Sequence, residues 1–269
     1  LSEGDAFNKY SVNVSKDSIR ALNFFSKVEI DENRTEYPDK LDIVVSVEEK
    51  NTGEASIGAG YSSANAASLN FGLKETNFLG KGQKLNLTTS FSNTRTTYDL
   101  SFTEPYLNNK PLSFTSSLYS SFSDPSSTNY ETEDLGLGFK SRFPLSNDRS
   151  IELRYSLFTS KVKADSNATA YEQLLAGTDT NSMIGYSLFF DRRDSRYKPS
   201  KGFNLALTQD LAGLGGTTYY MKNKIEYNTY RRLTEELIGS FKFQAGNSVG
   251  YNSKYAPLSS NFKLGGKKL

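Results

Sequence analysis

The chain has 269 residues, with 32 basic against 30 acidic side chains and neither Cys nor His. That composition excludes disulfides, thiolate metal sites, imidazole zinc sites and every His-based catalytic triad. Mean hydropathy is −0.56, and no apolar run reaches the ~18–20 residues of a membrane-spanning helix. A transmembrane β-barrel nevertheless keeps a low mean hydropathy, because its strands alternate lipid-facing apolar and lumen-facing polar residues.

The chain opens on Leu1 without a leader pattern, so its N-terminus is expected to be internal to a longer precursor. Residues 1–50 hold 11 acidic and 7 basic side chains, leaving 19 acidic and 25 basic for the remainder. The basic residues are dispersed, without the aromatic-interleaved clustering of nucleic-acid binders, so nucleic acid is not an expected partner.

Residues 1–50 read as the tail of a small α+β unit. Ser15 is placed to cap a short helix whose apolar face is Ile19, Leu22 and Phe25. Strands at 28–32 and 41–49 follow, joined through the turn residues Pro38 and Asp39. In the second strand, Leu41, Ile43, Val45 and Val47 form the face expected to be half-buried.

From Ala55 onward, period-2 alternation takes over. It recurs at 57–61, 69–73, 85–91, 98–102, 114–122, 135–139, 151–158, 184–190, 203–208, 219–228 and 237–243, which makes about eleven strands. A soluble sandwich also alternates. The number of successive strands without a helix, and the Tyr and Phe near their ends, favour a membrane barrel with aromatic girdles. Leu153, Tyr155, Leu188, Leu205, Ile225 and Phe241 are expected to face lipid. Glu152, Arg154, Lys224, Glu226 and Lys242 are expected to face the lumen.

Connections at 77–83, 104–111, 144–149, 191–202 and 231–236 read as compact turns. Those at 124–129, 161–181, 210–218 and from Gly246 to the end read as longer loops. Short turns on the periplasmic side and long loops outside describe an up-and-down antiparallel barrel entered from the periplasm.

Four stretches carry a family resemblance. They are Gly4-Asp5-Ala6-Phe7-Asn8 with Phe24-Phe25-Ser26-Lys27-Val28; Val47-Glu48-Glu49-Lys50-Asn51-Thr52-Gly53-Glu54 running into Gly58-Ala59-Gly60-Tyr61-Ser62; Asn77-Phe78-Leu79-Gly80-Lys81-Gly82-Gln83; and Asp191-x-Arg193-Asp194 with Pro199 and Gly202. Near the end, the run from Pro257 through Phe262 to Gly265 and Gly266 is similar to the approach to an Arg-Gly-Phe loop motif. In this order they resemble the BamA family of outer-membrane β-barrel assembly proteins, and within it the α-proteobacterial form.

The resemblance implies a mostly β fold: a transmembrane barrel of about sixteen strands when complete, preceded by part of an α+β POTRA domain. On that pattern residues 1–52 are the C-terminal part of a periplasmic POTRA domain. Residues 53–269 are the N-terminal part of the barrel, ending within its sixth extracellular loop, so the chain is expected to be a fragment. The implied function is insertion of β-barrel proteins into the Gram-negative outer membrane, without catalytic residues, metal or cofactor. Implied partners are unfolded outer-membrane proteins, assembly-machinery lipoproteins bound through POTRA domains, and outer-membrane lipid. A TamA-like assembly factor or a two-partner secretion pore is the alternative within the fold. A lipid-hydrolase barrel is disfavoured by the absence of His.

In the family the first barrel strand closes weakly against the last and opens a lateral gate. That assigns Ile57, Gly58, Ala59, Gly60, Tyr61 and Ser62 as the strand that templates clients. Two glycines in it weaken the strand on physical grounds as well. The residues Asn77, Gly80, Gly82, Asp191, Arg193, Asp194, Pro199 and Gly202 are expected to shape turns rather than to catalyse. Pro257, Phe262, Gly265 and Gly266 would begin the sixth loop, where Lys263, Lys267 and Lys268 are either lumen contacts or solvated charges.

Overall fold

The computed structural model describes residues 4, 6–62, 66–124, 129–174, 176–196 and 198–252. Pro257, Phe262, Gly265 and Gly266 lie outside the described residues.

The N-terminal unit is a helix α1 (Lys9–Ala21) followed by strands β1 (Phe25–Arg34) and β2 (Leu41–Glu49), which pair antiparallel. The helix is longer than its apolar spacing predicts, and Asn8 caps it rather than Ser15. The Asn8 side chain accepts from the N–H of Tyr10 at 2.9 Å, meeting an otherwise orphaned donor of the first turn. Tyr10, Val12 and Val14 are spaced by two, which hides the helical turn from a periodicity reading, yet Val12 is the helix residue that is buried. Leu22 is exposed and Phe25 already belongs to β1. The expected half-burial of β2 holds for Leu41 and Ile43 but not for Val45 and Val47, which are exposed, as is Val44 on the other face.

The remainder forms one eleven-stranded antiparallel sheet in sequence order. Its strands are β3 (Gly53–Ser62), β4 (Ala66–Phe78), β5 (Gln83–Ser92), β6 (Arg95–Glu104), β7 (Ser113–Ser123), β8 (Tyr130–Ser146), β9 (Arg149–Ala164), β10 (Gly177–Asp191), β11 (Gly202–Ala212), β12 (Tyr220–Arg232) and β13 (Ile238–Gly250). Each of the eleven alternating segments is a strand. Most run longer than the alternation showed.

The loop expected at 161–181 is shortened in this way. Lys161 pairs with Glu133 and Lys163 with Glu131, so the β8–β9 hairpin continues through charged residues, and Lys163 bonds Glu133 at 2.5 Å. The remaining connection carries a short helix α2 (Ala170–Leu174), which the sequence reading missed. Its signal is a capping box: the Glu172 carboxylate accepts from the Thr169 N–H at 2.8 Å, and Thr169 Oγ1 accepts from the Glu172 N–H at 3.3 Å.

The register sorts the wall into two faces, because directly paired residues of an antiparallel ladder share one side. Leu153, Tyr155, Leu188, Leu205, Ile225 and Phe241 fall on one face through the ladders of β9 to β13. That face continues through Leu137, Leu118, Leu100, Leu87, Leu73 and Ala55 to the first strand of the sheet. Glu152, Arg154, Lys224, Glu226 and Lys242 all fall on the opposite face. The apolar face is the exposed one: Leu73, Leu118, Leu135 and Phe241 all stand open. On the polar face Ser160, Ser187 and Tyr220 are buried against their neighbours. A sheet that buries its polar side and exposes its apolar side is inverted relative to a soluble fold, and lipid is the solvent that favours it.

Candidate functional site: the open edge and the tied turns

Strand β3 has one partner among the described residues, β4, from Gly53↔Glu75 to Ser62↔Ala66. Its other edge carries unpaired backbone groups, the arrangement that recruits a further strand. Ile57 and Tyr61, on the apolar face, are 75% and 81% exposed. Gly58 and Gly60 lie on the polar face. A Cβ at Gly58 would meet nothing within 4 Å, and one at Gly60 would lie 3.3 Å from Ser68 Oγ. Close packing therefore does not require Gly58.

The base of β3 is joined to the first turn. The Thr52 hydroxyl bonds Glu75 Oε1, which also accepts from the Asn77 N–H at 2.7 Å. Asn77 Oδ1 in turn accepts from the Gly82 N–H at 2.7 Å. Leu79, Gly80 and Gly82 have φ of +56°, +72° and +68°, so the two glycines supply left-handed positions. A Cβ on Gly82 would lie 3.6 Å from the Phe24 ring, so this turn rests against the start of β1.

The turn after β10 is held by its charges. Arg193 grips Asp191 with two parallel bonds, Nε–Oδ1 at 2.7 Å and Nη2–Oδ2 at 2.8 Å. Asp194 accepts from the Ser200 hydroxyl and from the N–H groups of Ser200, Lys201 and Ser195. Those donors hold its carboxyl far below the usual range, the Ser200 hydroxyl contributing most. Pro199 stands directly before Ser200. Gly202 has φ +98°, and a Cβ there would overlap the Arg192 carbonyl oxygen. Two bonds tie this turn to its neighbours: Arg192 Nε to Asp148 Oδ2 at 2.7 Å, and Arg232 Nη2 to Ser200 Oγ at 2.9 Å. The Arg192 bond, with help from Ser146, lowers the Asp148 pKa to about 2. Asp148, Asp191 and Asp194 are thus engaged in holding the turns.

Sequence reasoning named Glu152 and Arg154 as inward but missed what they build. Arg154 bonds Asp210 at 2.7 Å, Ser187 Oγ at 2.5 Å and Glu152 at 3.3 Å, and Arg142 bonds Glu152 at 3.1 Å. Arg142 also lies 4.0 Å over the Phe189 ring. These partners come from β8, β9, β10 and β11, and alternation gives no hint of which inward groups meet. Gly185 makes the room for them. A Cβ there would overlap Asp210 Oδ1 and lie 2.8 Å from the Gln209 carbonyl oxygen and 3.0 Å from Arg154 Nη2.

The outer face also carries a row of amides. Gln209 Nε2 donates to Asn223 Oδ1 at 2.7 Å, and Asn223 Nδ2 donates to Asn247 Oδ1 at 2.9 Å. The ladder supplies partners for amides set between apolar rows.

Inverted faces, an open edge and tied turns define the class as the wall of a transmembrane β-barrel. Residues 77–269 match the model of the Omp85 superfamily domain, and the chain belongs to that family of outer-membrane barrels. It is 26% identical to outer membrane protein assembly factor BamA of Nitratidesulfovibrio vulgaris, over 99% of this chain and 34% of that protein. The chain therefore spans about a third of the length of that curated relative. BamA from Haemophilus ducreyi, solved without POTRA domains 1–3, overlays with a TM-score of 0.87 at 21% identity, covering 100% of this chain and 55% of that one. CdiB from Escherichia coli overlays less well, with a TM-score of 0.54 at 14% identity over 92% of this chain and 50% of that one.

Proposed function

We propose that this chain is part of an assembly factor that folds and inserts β-barrel proteins in the outer membrane, with β3 as the strand that receives them. The observation that carries the reading is the edge of β3 left unpaired among the described residues, preceded by the N-terminal unit and bearing Gly58 and Gly60. An arriving strand would pair its backbone with that edge and bury its lipid-facing side chains as it folds, so the client supplies the driving free energy. No reaction, metal or cofactor is invoked, and the protein is not an enzyme on this reading.

Residues 1–52 are read as the end of a periplasmic POTRA domain and 53–269 as the N-terminal part of the barrel. Unfolded outer-membrane proteins are the substrates, and lipoproteins of the machinery bind on the POTRA side. Asn77, Gly80, Gly82, Asp191, Arg193, Asp194, Pro199 and Gly202 hold the turns on that side. A two-partner secretion pore remains second, since the overlay with CdiB is the weaker one.

The test is insertion of a model porin into proteoliposomes by the full-length protein. In an antiparallel ladder successive N–H groups point to opposite neighbours, so Pro at 59 and Pro at 60 remove donors on opposite sides of β3. One of the two should abolish insertion while leaving the barrel heat-modifiable. Ala59→Val keeps the donor and should retain most activity. If both folded Pro variants insert clients at the normal rate, β3 is not the receiving strand.

A further inference from the structure

Four arginines gather on one part of the outer margin at the turn end of the wall. Arg149 and Arg231 lie on the lipid-facing side, paired with Phe190 and Gly239. Arg192 and Arg196 stand in the turn between β10 and β11. Directly above them on the same face run the aromatic side chains Phe190, Phe203, Tyr227 and Phe241, with Phe203 and Tyr227 packed at 5.8 Å. Arg149 lies 5.9 Å over the Phe190 ring. Aromatic residues with cationic ones just outside them mark the level where acyl chains give way to headgroups.

The guanidinium groups are arranged alike. Nε of Arg149 and of Arg192 faces Asp148 at 3.6 and 2.7 Å, and Nε of Arg196 faces Asp191 at 3.5 Å. Among the described residues their Nη groups make no hydrogen bond, and Arg231 has no ionic partner. Arg196 is 73% exposed. The carboxylates thus fix three stems and leave the forked ends free, and a guanidinium fork matches a phosphodiester with two parallel bonds. On the same margin, the turns between β4 and β5 and between β6 and β7 offer only Lys81 and Lys110, each two or more strands from the next basic turn residue.

We infer that the Arg149–Arg192–Arg196–Arg231 belt is a binding surface for anionic phospholipid headgroups of the leaflet on the turn side. The apolar and aromatic rows above it accept the acyl chains, which separates a lipid from a free phosphate. The belt covers β9 to β12 and leaves the β3 edge without it, so bound lipid anchors the wall away from the receiving strand. This inference rests on the membrane orientation in the proposed function.

The experiment uses full-length protein in nanodiscs of phosphatidylcholine doped with phosphatidylglycerol. The readout is the phosphatidylglycerol retained on the protein by native mass spectrometry. Arg196→Gln with Arg231→Gln, which leaves the Arg192–Asp148 and Arg193–Asp191 ties intact, should lower that retention by about fivefold or more with unchanged heat modifiability. Inorganic phosphate should not displace the lipid. Unchanged retention in the folded double variant overturns the inference. So does displacement by inorganic phosphate, which would mean an anion site only, or equal retention of phosphatidylcholine, which would mean unselective lipid contact. Failure of the unmutated full-length protein to insert a porin, with lipid retention intact, would count against the proposed function and leave the belt standing.

Discussion

Two glycines in strands, Gly185 and Gly58, should respond oppositely to a methyl group. At Gly185 the added Cβ overlaps Asp210 Oδ1 and lies 2.8 Å from the Gln209 carbonyl oxygen, which the β10–β11 ladder holds in place. The Asp210 carboxylate must therefore leave Arg154, now at 2.7 Å, with side chains only 16% and 20% exposed. Losing that charge-assisted bond costs about 2 kcal/mol. Crowding against the backbone oxygen adds about 2 kcal/mol. The smaller unfolded-state entropy of Ala returns about 1 kcal/mol. The net expectation for Gly185→Ala is a loss of about 3 kcal/mol. At Gly58 the Cβ meets nothing, so Gly58→Ala should be neutral or stabilising by up to about 1 kcal/mol. Urea unfolding of the full-length protein in micelles, followed by circular dichroism and by heat modifiability, reads both. Adding Asp210→Ala to Gly185→Ala should cost little more, because the contact has already gone. A Gly185→Ala protein within about 0.5 kcal/mol of the parent, or Gly58→Ala costing as much as Gly185→Ala, would refute the reasoning.

Asp148 has a folded pKa of about 2, below the ordinary carboxylate value. Its tie to Arg192 therefore stabilises the turns above the usual carboxylate range and is lost as pH falls toward 2. Proteolysis at the 144–149 turn should accelerate over that interval in the parent and not in Asp148→Asn, and identical acid profiles would exclude the tie as the cause. Ile225 faces lipid near the middle of β12, between Leu207 and Ala245. Ile225→Arg should cost about 2–4 kcal/mol in micelle unfolding. Asn228→Arg, on the inward face, should stay within about 1 kcal/mol, and the reverse ranking would invert the assignment of faces.

The number of strands, their order and the face each side chain takes follow from the sequence alone. Period-2 alternation is a local property, and a barrel wall repeats it strand after strand without long-range exceptions. Leu153 against Arg154, or Ile225 against Glu226, shows its side wherever its neighbours lie. Turn chemistry is local too, so Asn77, Gly80, Gly82 and Gly202 stand out before any contact is known. What the sequence left open depends on pairing between distant positions. The Arg154–Asp210 bond joins residues 56 apart, and the Gln209–Asn223–Asn247 ladder exists only because the register puts three amides in one row. Strand length was also decided in three dimensions, since the charged tops of β8 and β9 extend by cross-strand ion pairs that alternation does not encode. The glycine conspicuous in sequence, Gly58, faces open space, while Gly185 is the one whose missing side chain leaves room for a partly buried ion pair.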